Sequence, residues 1–289
     1  MQTVLNILKN KVLSKKFIKK SVKQGELAIV LTAVILASGV VIGYGVKEVL
    51  PEGTGAFFKE WIAHPEIGAF APCSKFVAAE IVKPLRKTLE IKRAQQEKSI
   101  VRVLEVGSGP GVLTREIIKV LKESEVVYEL DLVEINELFC EQLRKEFMSD
   151  PAVKVHQVDI TQWHSAGGYD CIISTLPFNI FEKNTIESIL DSYCSWLVPG
   201  GSVSYVELAG LPRIGKLFMS SEKKEVFEEK LQVIRNFKEK HLDKTTTILL
   251  NFFPLYVHHL VINGPELEEE TIVEIVQTHT QTHTYEQNA

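Results

Sequence analysis

The sequence predicts an α/β fold: a sheet with helices on both faces, preceded by an N-terminal hydrophobic helix. Three observations carry that expectation. From residue 101 onward, short apolar runs alternate with longer charged stretches, the rhythm of strands and helices. The first apolar run leads into glycines at alternate positions, Gly107, Gly109 and Gly111, the punctuation of a strand–turn–helix unit. Residues 27–46, LAIVLTAVILASGVVIGYGV, contain no charge. Twenty helical residues span about 30 Å, the thickness of a bilayer's hydrocarbon core.

Composition narrows the classes. The chain has 289 residues, 45% hydrophobic and 24% charged, enough for a sizeable core. Its four cysteines, Cys73, Cys140, Cys171 and Cys194, show no C-x-x-C spacing. That argues against a zinc site or a disulfide framework, and for reduced thiols. Residues 1–25 hold seven lysines and no acid. Removing those seven positives from the net charge of −4 leaves −11 on the rest. A basic tip on an acidic body suits two environments rather than a uniformly nucleic-acid-binding surface.

Three units are expected: 1–50, a basic N-terminus and membrane-associating helix; 51–265, the folded domain, with 51–98 as a helical cover; and 266–289, a polar, disordered tail. The lysines favour anionic headgroups, about 1 kcal/mol each near the surface. A cleaved signal peptide fits less well, because the basic region and the apolar run are both long. The positive-inside rule would keep the lysines in the cytoplasm and export the body of the chain. A segment that re-enters, or that lies on the membrane surface, keeps the folded domain facing the cytoplasm.

The folded domain starts with a helix over Phe76–Leu85, and Lys87–Lys98 reads as a solvated helix end or loop. Val101–Val106 is a buried strand, and Val112 onward is a helix. The spacing G-x-G-x-G differs from the dinucleotide fingerprint G-x-G-x-x-G, and an acid, Glu105, precedes the first glycine by two residues. An acid there repels a pyrophosphate and attracts the ammonium of an amino-acid moiety, which suits S-adenosylmethionine (SAM). The stretch resembles the first motif of class I SAM-dependent methyltransferases. That resemblance implies a Rossmann-like, seven-stranded sheet, with Glu105, Gly107, Ser108, Gly109 and Gly111 around the cofactor.

The second strand, Val126–Val133, ends at Glu134, 23 residues past Gly111. A carboxylate at a strand's carboxyl end can accept from both hydroxyls of a ribose. Asp131 competes for that role. The resemblance adds Ile135 beside Glu134. The third strand, Val153–Val158, is followed by Asp159 and Ile160, for an adenine amino group and ring; a simple turn cap is the other reading of Asp159. The fourth strand, Tyr169–Ile173, leads into Ser174-Thr175-Leu176-Pro177-Phe178-Asn179, the expected acceptor turn, with Ser174 also near the cofactor. Helix Glu182–Leu197 stops at Val198-Pro199-Gly200-Gly201. Strand Ser202–Leu208, a charged helix over 222–240, and a final antiparallel pair, Thr245–Phe252 and Leu255–Ile262, complete the sheet.

Methylases of nucleic-acid amines carry N/D-P-P-Y or N-L-P-Y/F at the acceptor turn, where the amide accepts from the target amine. Here Thr175 stands in the place of that Asn, and a hydroxyl does not reproduce the amide. The turn is similar to the S/G-L-P-F/L turn of bacterial phospholipid N-methyltransferases. Two flanking stretches resemble the same family. One is the aromatic segment Phe57, Phe58, Trp61 followed by Gly68-Ala69-Phe70-Ala71-Pro72-Cys73-Ser74. The other is NFFPLYVHHL at 251–260, similar to N-x-P-P-A-x-V-Y/H-R-L, with Phe253 for a proline and His259 for the arginine.

The resemblance implies SAM-dependent N-methylation of a phosphatidylethanolamine-type headgroup at a membrane surface. Lipid and membrane are the expected partners, and nucleic acid is not. Ser174, Thr175, Pro177, Phe178, Tyr256 and His258 form the expected catalytic side, Phe178 by cation–π attraction of about 0.5–2 kcal/mol. Candidate bases are His64, Tyr205, Tyr256 and His258. No metal is expected. The alternatives are an RNA adenine dimethyltransferase-like enzyme, to which the chain has a distant resemblance, and methylation of another small amine or a protein.

Overall fold

The computed structural model describes residues 73–96, 99–165, 167–178, 180–209, 220–251 and 254–262. The hydrophobic segment 27–46, the aromatic residues 57–61, His64, most of the 68–74 turn, Asn179, Phe253 and the tail 266–289 lie outside these residues. Among the described residues, no helix is long and apolar enough to cross a membrane.

Two helices open the described chain, α1 (Lys75–Ile81) and α2 (Lys83–Ala94). Ser74 caps α1. Its backbone N–H donates to Asn251 Oδ1 (2.7 Å) and its hydroxyl to the Leu250 carbonyl (2.6 Å), tying the start of α1 to a loop 176 or more residues away. Pro84 sits in the first turn of α2, where its missing N–H costs nothing. The helix reaches Ala94, through much of the stretch read as solvated.

The sheet is then built from β1 (Val101–Val106), β2 (Tyr128–Glu134), β3 (Val153–Gln157), β4 (Tyr169–Ser174), β5 (Leu197–Leu208), β6 (Leu242–Ile248) and β7 (Leu255–Val261). Helices α3 (Val112–Glu123), α4 (Glu137–Phe147), α5 (Lys183–Trp196) and α6 (Ser221–His241) connect them. The strand order is β3-β2-β1-β4-β5-β7-β6. The first five strands are parallel and β7 is antiparallel to both its neighbours. Strand order reverses at β1/β4. The crevice past the carboxyl ends of those two strands is therefore the expected ligand site of an open α/β sheet.

Alternation on the strands sorts side chains between two cores. Val101 and Val103 face α1, α2 and α3; Leu104 and Val106 face α5 and α6. Each such fully buried aliphatic side chain contributes roughly 1.5–3 kcal/mol. Both faces being covered explains the near-continuous apolar run of β1. By this parity Glu105 points into the α1–α3 layer, whereas Ser174, Tyr205 and His258 point to the α5–α6 side.

Two predicted strand boundaries shift. β5 begins at Leu197 and runs through Pro199-Gly200-Gly201, with a break in register against β4. Gly200 takes φ +79° there, so the predicted turn survives as an irregularity within the strand. β6 is Leu242–Ile248 rather than 245–252, because α6 runs directly into it. Helix α4, capped by the Asn136 side chain accepting from the Phe139 N–H, fills the gap between β2 and β3 that the sequence reading left unassigned.

Candidate active site

The site grows from the end of β1. Gly107, Gly109 and Gly111 all have positive φ, +77°, +52° and +81°, a region that favours glycine. A Cβ on Gly111 would stand 2.9 Å from Leu143 Cδ2, so this glycine also lets α3 close against α4. The loop is held on several sides. The Gly107 N–H donates to the Val133 carbonyl (2.8 Å), the Gly109 N–H to Glu134 Oε2 (2.8 Å), and Arg115 Nη2 to the Pro110 carbonyl (3.2 Å).

Glu105 is completely buried. Its Oε2 accepts from the Thr114 hydroxyl at 2.7 Å, and among the described residues its Oε1 has no partner. Burial pushes its pKa up to about 8, with the charge of Glu134 adding to the effect, against the lowering by the Thr114 hydrogen bond. Ser108 Oγ is also buried without a partner among the described residues. Unmatched buried polar atoms are costly. Two of them beside a three-glycine loop fit a polar ligand that brings its own hydrogen-bonding groups. The Cys73 thiol, pushed up to about 12 by burial and by the charge of Glu105, stays protonated there.

Glu134 ends β2, as expected. Its Oε1 accepts from the Asn136 N–H at 2.8 Å while Oε2 accepts from Gly109. Each oxygen keeps a second lone pair for a ligand hydroxyl. Burial raises its pKa, against the lowering by those backbone N–H groups. Asp131, the competitor, is committed elsewhere. It is bonded to His156 Nε2 (2.7 Å) and accepts from the Tyr169 hydroxyl (2.9 Å). Ile135 is 62% exposed at the sheet's carboxyl edge, an apolar face open to a ring. Asp159 caps the 3-10 turn Ile160–Gln162, with Oδ1 accepting from both the N–H and the hydroxyl of Thr161. Its cap role is thus occupied, and Oδ2 is the oxygen left for a ligand. Ile160 is buried.

The acceptor turn looks different from its sequence reading. Phe178 is only 5% exposed and packs edge-on against Tyr205, ring centroids 5.5 Å apart. It is a core side chain of the α5–α6 layer, so the expected cation–π face is not open to a substrate. Ser174 is fully buried and accepts from the Tyr193 hydroxyl at 2.9 Å. Thr175, half-buried, donates its hydroxyl to the Gly107 carbonyl at 2.7 Å. Pro177 is half-buried beside it.

Register places Ser174, Tyr205, His258 and Thr245 in one row across β4, β5, β7 and β6. Tyr205 is buried with its hydroxyl unpartnered among the described residues, and its pKa lies well above the usual value through burial and the charge of Glu207. His258 is fully engaged, Nε2 to Glu207 Oε2 (3.1 Å) and Nδ1 to Thr245 Oγ1 (2.9 Å). Burial alone would raise the Glu207 carboxyl; the hydrogen bond from His258 and the nearby Lys238 ammonium (3.1 Å) hold it below its ordinary value. Both ring nitrogens of this candidate base are thus bonded to the protein itself. Tyr256, half-buried, lies opposite Glu207 in β7. The Glu207–Lys238 pair behind His258 was not anticipated; its signal in the sequence was an acid near the end of a strand before a charged helix.

Residues 103–201 match the family described as "Methyltransferase domain". Over this segment the chain is similar to methyltransferase domains. The segment spans β1 to the start of β5, and so contains the glycine loop, Glu134, Asp159 and the acceptor turn. Among curated proteins, the malonyl-[acyl-carrier protein] O-methyltransferase of Halalkalibacterium halodurans is 29% identical over 129 residues, covering 43% of this chain and 45% of its own length. The chain thus spans less than half of that relative. Among solved structures, the N-methyltransferase NodS of Bradyrhizobium japonicum is 14% identical with a TM-score of 0.43, over 64% of this chain and 98% of its own. The DszA carbon methyltransferase is 14% identical with a TM-score of 0.49, over 71% and 60%. A putative RNA methyltransferase of Pyrococcus horikoshii is 16% identical with a TM-score of 0.41, over 66% and 83%.

SAM supplies a methyl group activated on a cationic sulfur. The residues that would hold it are Glu105 and Ser108 at the amino-acid end, Glu134 at the ribose, and Ile135, Asp159 and Ile160 at the base. What remains for the protein is alignment of an acceptor with the donor.

Proposed function

We propose that the chain is a SAM-dependent N-methyltransferase that acts on a phospholipid headgroup amine, of the phosphatidylethanolamine type, at a membrane surface. The observation that carries the methyl-transfer half is the buried Glu105 Oε1, unpartnered among the described residues, at the end of β1 beside the three-glycine turn. The acceptor half is supported by two features. The hydroxyl of Thr175 is bonded to Gly107 and the turn offers no carboxamide at that position for a nucleobase amine. The chain also joins seven N-terminal lysines to a twenty-residue uncharged segment, a composition suited to an anionic bilayer. The acidic remainder of the chain disfavours RNA, whose affinity for proteins rests largely on Lys and Arg contacts to phosphate.

The similarity to a malonyl-[acyl-carrier protein] O-methyltransferase favours a second reading, methylation of a carboxylate oxygen on a carrier-bound acyl group. One experiment separates the two. The purified full-length chain is incubated with methyl-labelled SAM and, in parallel, with phosphatidylethanolamine liposomes, malonyl-carrier protein and total RNA. Label in the lipid headgroup supports the proposal. Label confined to the malonyl ester supports the second reading, and label in RNA or in no fraction refutes both.

A further inference from the structure

Thr175 is the first residue past β4, and it ties the acceptor turn to the cofactor loop. Its N–H donates to the Val106 carbonyl at 2.9 Å and its hydroxyl to the Gly107 carbonyl at 2.7 Å. The approach is close: a Cβ on Gly107 would stand 3.1 Å from Thr175 Oγ1 and 3.6 Å from Leu176 Cδ2. A side chain on Gly107 would therefore crowd the Thr175 hydroxyl.

Gly107 lies at φ +77°, followed by Ser108 and then Gly109 at φ +52°. A peptide unit flanked by glycine has few steric reasons to prefer one orientation. The Gly107 N–H is anchored on Val133, but that bond does not fix the carbonyl on the other side of the Cα. The Thr175 hydroxyl does. Because a trans peptide holds its C=O and the following N–H antiparallel, fixing the Gly107 carbonyl toward the acceptor turn aims the Ser108 N–H the opposite way.

We propose that Thr175 is a positioning residue that locks the Gly107–Ser108 peptide in its ligand-binding orientation, so that the acceptor turn and the cofactor loop move as one. The proposal rests on reading residues 105–111 as the SAM cradle. It gives Thr175 a different task from the Asn of amine methylases acting on nucleobases, whose side chain is turned on the acceptor. Here the side chain is turned on the donor's loop.

The test uses Thr175→Val, which keeps the shape and removes the hydroxyl, with Thr175→Ser and Thr175→Cys as a graded series. Tyr128→Phe, which removes a peripheral hydrogen bond to Asp150, is the control. Amide hydrogen exchange over residues 105–111 is measured without ligand, and binding of S-adenosylhomocysteine is measured by titration. In T175V, exchange in this loop speeds up about tenfold and the dissociation constant rises about tenfold, some 1.4 kcal/mol, with little change in Tm. T175S stays within about twofold of the parent in both, and T175C falls several-fold behind T175S. Y128F lowers Tm without changing ligand affinity.

Parent-like exchange and affinity in T175V would overturn the proposal. So would a T175S variant as impaired as T175V, since the effect would then belong to the methyl group. If T175V does not fold, equal behaviour of T175S and T175C overturns it. Failure of the parent protein to bind the ligand would refute the SAM reading instead, while the ligand-free exchange comparison still decides whether the tie exists.

Discussion

The strongest quantitative consequence concerns Glu105. Replacing it with Gln keeps the shape and removes the titration. The folded-state pKa is about 8 against an ordinary value of 4.5. Below about pH 4.5 the carboxyl is protonated in both states and contributes nothing to the pH dependence. Between 4.5 and 8 the unfolded chain releases the proton and the folded chain keeps it. The unfolded state then binds fewer protons, so stability falls as pH rises through this window. At 1.36 kcal/mol per pKa unit the full effect approaches about 5 kcal/mol by pH 8, a large share of a domain's usual 5–15 kcal/mol. Urea melts of the parent and of E105Q at pH 5, 6.5 and 8 isolate it, because other titrating groups are common to both. The two proteins should be close in stability at pH 5. The parent should become weaker than E105Q by several kcal/mol at pH 8. Parallel stability–pH curves would refute the assignment of a neutral, buried carboxyl. Binding adds an opposite signature. An ammonium ligand pairs with the ionised form, so S-adenosylhomocysteine should bind the parent more tightly as pH rises from 6 to 8, and E105Q should bind more weakly with a flatter profile.

Three further expectations follow from the same geometry. Glu134→Gln turns a charge-assisted acceptor of two backbone N–H groups into a neutral amide, and at about 1.5–3 kcal/mol per charged hydrogen bond should weaken S-adenosylhomocysteine binding at least tenfold by calorimetry; unchanged affinity would remove Glu134 from the cofactor site. Gly111→Ala combines φ +81° with a Cβ 2.9 Å from Leu143 Cδ2, and should cost about 1–3 kcal/mol or more in urea denaturation, a loss that Leu143→Ala in the same chain should not remove, because the backbone strain stays. Phe178→Ala should behave as a core truncation, losing about 3–5 kcal/mol, and Phe178→Leu should retain most of the stability with little change in acceptor KM; a selective loss of acceptor KM in F178L at full stability would return the ring to the substrate.

The parts legible in the sequence were those set by local chemistry. The strand–glycine–helix unit around 101–118 needs only an apolar run, glycines tolerant of positive φ, and a helix-forming continuation. Glu134 was legible because an acid at a strand's carboxyl end is a local feature. Side-chain commitments were not legible, because they depend on elements far apart in the chain. Asp131 and Glu134 look alike in sequence, and only packing binds Asp131 to His156 and Tyr169. Phe178 follows a proline in an acceptor-like turn, yet Tyr205, 27 residues later in sequence, draws it into the core. His258 reads as a free imidazole until Glu207 and Thr245 are placed on its two nitrogens.

The sequence alone determined the fold class, the glycine turn and the presence of an acid two residues before it, since backbone freedom and strand burial are written in residue type and spacing. The tertiary structure decided which of the polar residues near the sheet's carboxyl edge keep an open valence. A carboxylate, hydroxyl or imidazole is available to a ligand only when no neighbour has already satisfied it, and those neighbours arrive on other strands and helices. That is why, among the described residues, Glu105 Oε1 and Ser108 Oγ are left unpartnered, while Ser174, Thr175 and His258 are bonded to the protein itself.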